Sequence, residues 1–169
     1  VAARDIKGIY SAWIAAVEAL SFSWDDAIRL KTWIDRFDSI RKEYYARLPF
    51  ELKLQFYTAA IFGLSTSNPQ HPWLRGLIKI CEGIFRLSLI PIKMIRLPLA
   101  VQMGQYYILT TQLSRLNKII IHLESAIEDK TIPATHRILS CFILGIDHLY
   151  KSDNSRAYEY SVKGLDLSQ

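Results

Sequence analysis

LGIDHLYKSDNSRAYEYSVKG, residues 144–164, carries three small residues at set places: Gly145, Ala157 and Gly164. Two antiparallel helices approach closely only where one or both lack a bulky side chain. Small residues at a step of twelve or thirteen and then seven, on either side of a turn, therefore mark a helical hairpin. Lys151-Ser152-Asp153-Asn154 supplies the tight turn. The spacing recurs up the chain as Ala15, Ala27, Ile34, as Gly63, Gly76, Gly83, and as Gly104, Leu116, Leu123. The first positions, 15, 63, 104 and 145, step by 48, 41 and 41 residues. The fold read from this pattern is all-α: a right-handed α-solenoid of about four antiparallel hairpins, forming one helical-repeat domain over residues 1–169.

The helices between those landmarks follow from apolar periodicity. Ile6, Ile9, Tyr10, Trp13, Val17 and Leu20 keep the three-four step of one helical face and predict a helix over 5–20. A long second helix over 24–45 follows, with Ser23 as its cap and Asp25 and Asp26 in its first turn. Pro49 opens a third helix over 50–64 that is apolar nearly all round and must be covered on more than one side. The loop 65–72 leads to a fourth helix over 73–87, then a connector over 89–96. Further helices are predicted over 98–111, 113–129 (capped by Ser114), 134–150 and 155–167. No stretch alternates with a period of two long enough to demand a strand.

Composition narrows the class. Half of the 169 residues are hydrophobic, more than a disordered chain carries. Cys81 and Cys141 lie inside apolar runs and read as buried small hydrophobes, which fits a reducing, cytoplasmic setting. The apolar stretch 97–114 holds Pro98, Gln102, Gly104, Gln105, Thr110, Thr111 and Gln112 and is too polar for a membrane span. The first residue is Val1, without a signal-peptide layout, so the chain reads as a fragment of a larger multidomain protein. The net charge of +5 is uneven: residues 72–122 hold seven Lys/Arg against one Asp/Glu.

The chain offers little chemistry. No P-loop, dinucleotide fingerprint, H-E-x-x-H or C-x-x-C occurs. His71 reads as exposed loop polarity. His136 and His148 stand twelve apart, too far for joint metal ligation, and no metal or cofactor is expected. Asp35 and Asp38, beside Arg36, Arg41 and Lys42, read as a solvated, salt-bridged face rather than an acid–base pair. What remains is surface. Arg75, Lys79 and Arg86 line one helix face with Glu82 between them. Tyr57, Tyr106 and Tyr107 come from first helices of hairpins, which line the concave side of a solenoid. These six residues are the candidate binding groove. The expected function is a non-catalytic binding or scaffold module holding a protein partner or inducer. Two alternatives stand beside it: binding of nucleic acid or another anion through the basic third, and a small-molecule enzyme with an interhelical site.

Leu144-Gly145, His148, Ala157 and Gly164 stand at the relative spacings of the tetratricopeptide signature. The segment from Leu64 through Asn68-Pro69-Gln70-His71-Pro72-Trp73-Leu74 resembles the helical-repeat region of bacterial ATP-dependent regulators of the MalT/LuxR type. The resemblance implies a sensor arm of a transcriptional or signalling regulator that binds an inducer, a partner protein or other domains of the same chain, with the ATPase and DNA-binding parts outside this segment.

Overall fold

The computed structural model describes residues 5–21, 27–44, 48–86 and 93–169; for residues 21, 27, 43, 44 and 93–95 it describes the backbone alone. Every regular element among these residues is helical. In order they are α1 (Ile6–Ser21), α2 (Ala27–Asp35), α3 (Phe37–Tyr44), α4 (Phe50–Ser67), α5 (Pro72–Arg86) and α6 (Lys93–Leu109). A 3-10 helix (Leu113–Lys118), α7 (Ile120–Ile127), α8 (Ala134–Tyr150) and α9 (Asn154–Asp166) complete the chain. None of the described helices is long and apolar enough to cross a membrane. The chain divides into two compact units, residues 1–80 and 81–169.

In the first unit α4 packs against both α1 and α2. Its apolar circumference demanded that double cover. Gly63 makes the closest approach: a Cβ there would run into the Ile34 side chain of α2. The core is aromatic. Phe37 stacks on Phe56 with 5.5 Å between ring centroids, and Trp13 tilts against both. The long second helix of the sequence reading is broken at Arg36, and the reason lies outside that helix. The Trp33 carbonyl accepts the Trp13 indole N–H at 2.9 Å and the Arg36 N–H at 3.3 Å. A carbonyl held this way is drawn off the regular i→i−4 ladder, and the chain restarts as α3. The predicted cap Ser23, with Asp25 and Asp26, lies outside the described residues.

In the second unit α8 is the central helix, touching α6, α7 and α9. A Cβ on Gly104 of α6 would stand 2.9 Å from Ile143 Cδ1 of α8, and one on Gly164 of α9 would stand 3.3 Å from Cys141 Cβ. Gly145 faces the Ala157 carbonyl across the same hairpin. Both cysteines are buried and free. Two boundaries differ from the sequence reading. Helix α6 starts at Lys93, so Pro98 sits inside it rather than opening it. Pro98, the sixth residue, forfeits the one i→i−4 bond its own N–H would have made, close to the helix start. The predicted helix 113–129 is a 3-10 turn followed by the shorter α7. Leu116 and Ile119 are fully buried three apart, a spacing that a 3-10 turn brings onto one side.

The small-residue pattern is thus close packing at Gly63, Gly104, Gly145, Ala157 and Gly164, but not throughout. A Cβ on Gly76 or Gly83 would meet nothing within 4 Å, and Ala15 is exposed. The side chain of Ala27 lies outside the described residues.

Candidate functional site

The open face of the second unit follows from helix geometry. Helices α8 and α9 run antiparallel, since Gly145 meets Ala157 and Cys141 meets Gly164. Cys141, Gly145 and His148 face α9; Ala157, Ser161 and Gly164 face α8. One residue further along each contact row stand Phe142, Ile146, Leu149 and Tyr158, Val162, Leu165. A step of one residue turns 100° around a helix, and in an antiparallel pair the same turn on both partners lands on one side. Helices α6 and α8 run parallel: Leu97 and Pro98 share a cleft with Pro133 and His136, and Gly104 meets Ile143. There the residue after the contact on α6, Gln105, and the residue before it on α8, Phe142, share a side. Gln102, Gln105 and Leu109 of α6 therefore join the same face.

Exposure agrees with this placement. Leu109 is 66% exposed, Phe142 55%, Tyr158 71% and Leu165 62%. None of these nine positions is charged, in a chain of which 22% is charged. The sequence carried the signal in the number of large apolar residues on α8, which is covered by α6, α7 and α9 and still leaves Phe142 and Leu149 open.

The six residues read from sequence as a groove are not brought together. Tyr57, Tyr106 and Tyr107 are buried in the two cores. Tyr57 packs against Trp73 and Tyr106 against Tyr107. Both members of the adjacent pairs Phe56-Tyr57 and Tyr106-Tyr107 are buried. Arg75 and Lys79 are exposed on α5 in the first unit, and Arg86 is exposed where α5 ends in the second.

Part of the basic third is neutralised internally. Tyr107 donates its hydroxyl to Glu82 Oε1 at 2.8 Å, Arg115 Nη1 lies 3.3 Å from the same oxygen, and Lys118 Nζ lies 2.9 Å from Oε2. Desolvation pushes the Glu82 carboxyl up, but the Lys118 and Tyr107 hydrogen bonds and the two cations outweigh it and hold it below its ordinary range. Burial and the carboxylate beside it push the Tyr107 phenol up. This is a structural tie between the end of α5, α6 and the 3-10 helix.

His71 is not exposed loop polarity. Its ring stands edge-on to Phe37, its Nδ1 accepts the Trp73 N–H at 3.3 Å, and its Nε2 lies 3.5 Å from Asp38 Oδ2. Asp38 also pairs with Arg41, whose guanidinium lies over Trp73. Desolvation raises the Asp38 carboxyl, and the Arg41 hydrogen bond with the charges of His71, Arg41 and Lys42 lowers it further than that. Lys31 and Asp35 pair at 2.9 Å. Both carboxylates belong to surface ion pairs, as their flanking charges suggested.

The described concavities are small. A cleft of about 70 Å³ between α6 and α7 is lined by Arg96, His122, Ser125 and Asp129, among others. Serine, histidine and aspartate meet there, but the Ser125 hydroxyl donates to the His122 carbonyl at 3.0 Å. Burial, then the Arg96 charge, holds the His122 imidazole below its ordinary range. Ligand pockets usually run to about 300 Å³ or more. Among the described residues no three His, Cys, Asp or Glu side chains are grouped to hold a metal ion. No family model, no curated protein and no solved structure matches this chain.

Proposed function

We propose that this chain is a non-catalytic helical-repeat module, four hairpins in tetratricopeptide-like succession, serving as the sensor or scaffold arm of a bacterial regulator in the cytoplasm. It holds a protein partner or inducer on the side lined by the first helices of its hairpins. The observation that carries this reading is the packing rule shared by both units. The first helix of a following hairpin, α4 or α8, lies against both helices of the hairpin before it. Within each unit the later hairpin thus stacks on the earlier one, as repeats of a solenoid do. The parallel pair α6 and α8 supports this, since its open rows share one uncharged side. The resemblance at Leu64–Leu74 and Leu144–Gly164 supplies the regulator.

Reading the gene outward from this segment tests the proposal. A nucleotide-binding switch or a DNA-binding domain in the same open reading frame is the expected result. A frame with neither overturns the regulator reading.

A second reading rests on the exposed Arg75 and Lys79, a basic row for an anionic ligand or nucleic acid. Retention of generic duplex across a salt series measures it. Binding at low salt that Arg75→Glu with Lys79→Glu abolishes supports the second reading; no retention at any salt removes it.

A further inference from the structure

We infer that the uncharged face of α6, α8 and α9 docks a second copy of this chain, forming a twofold dimer. The inference rests on the reading of that face as a docking surface and names its occupant. Of the large apolar side chains left exposed among the described residues, Leu109, Phe142, Leu149, Tyr158, Val162 and Leu165 fall on this one side.

Three features select a second copy. The first is area. At their observed exposures these six side chains leave on the order of 600 Å² open per copy, so a pair of copies hides roughly 1,200 Å², the lower bound of specific interfaces. That is at the upper end of the apolar patches that monomers leave open. The second is charge. An isologous contact sets a surface against itself, so any charge near its axis meets its own like. The rows of α6, α8 and α9 carry none over their central positions. The third is the polar inventory. Gln102 and Gln105 edge the face, and an amide both donates and accepts, so it can pair with its own copy where a carboxylate or ammonium could not.

Sedimentation equilibrium of the full chain from about 1 to 100 µM tests this. The expected mass is twice 19.5 kDa at the upper concentrations. Phe142→Glu and Tyr158→Glu each bring two like charges onto the face and are expected to weaken the dimer at least tenfold. Both sites are more than half exposed, so helical circular dichroism should not change. Ile121→Glu, at a site 69% exposed on α7 and outside the face, is expected to leave the dimer intact. A wild-type mass of 19.5 kDa at every concentration, an assembly other than a dimer, or a dimer that both face variants leave unchanged overturns the inference. Those outcomes concern the second copy alone; the regulator reading stands or falls on the gene around the segment.

Discussion

At the scale of single residues, the glycines separate into two kinds that a sequence cannot tell apart. Gly104 lies under Ile143, whose side-chain tip stands 2.9 Å from where a Cβ would go. Gly104→Ala therefore sets a helix-propensity gain of up to about 1 kcal/mol against overpacking of about 1–3 kcal/mol, and is expected to destabilise by about 1 kcal/mol. Gly76→Ala meets open space and is expected to stabilise by about 0.5–1 kcal/mol. Thermal unfolding reads both, and opposite signs are the expected result. Glu82→Ala leaves the buried Tyr107 hydroxyl without its acceptor and is expected to cost about 2 kcal/mol by denaturant titration. The histidines give a pH dependence. Burial holds both His122 and His136 below their ordinary value of 6.5. The unfolded chain then binds protons that the folded chain refuses, so stability is full above pH 6.5 and falls as pH drops below it. The double variant His122→Gln with His136→Gln is expected to flatten unfolding free energy against pH between 7.5 and 5.5. An unchanged slope places the proton uptake elsewhere.

At the scale of elements, the last hairpin was the most legible. Its turn, its small residues and both its helices stood in the sequence, and α8 (Ala134–Tyr150) and α9 (Asn154–Asp166) match them closely. Local chemistry decides such a segment. The second helix was not legible, because its break depends on an indole from α1 reaching the Trp33 carbonyl, a contact twenty residues away in sequence. The 3-10 turn was half legible: Leu113, Leu116 and Ile119 carry a period of three, but that run is short enough to pass for helix. The binding tyrosines failed for a related reason. Spacing says that a ring lies on a first helix; burial depends on neighbours that only the folded unit supplies. One capping residue also went unread. The Asp153 carboxylate accepts the Arg156 N–H at 3.2 Å at the start of α9 and stands near His148. Asp153→Ala is expected to lower stability by about 1 kcal/mol in thermal unfolding, whereas Asp153→Asn, whose amide oxygen can accept the same N–H, is expected to lose little of it.

At the scale of the whole molecule, each of the two units, residues 1–80 and 81–169, repeats one arrangement: a central helix laid across the two before it. The small-residue spacing pointed to that arrangement, and the uncharged row beside it points to use. The most direct measurement is hydroxyl-radical footprinting of the concentrated chain beside the same chain at high dilution. The expected result is that Phe142, Leu149 and Tyr158 lose reactivity at least tenfold in the concentrated, assembled protein while Ile121 keeps its own. Equal reactivity of all four residues in both preparations would contradict a working surface on α8 and α9.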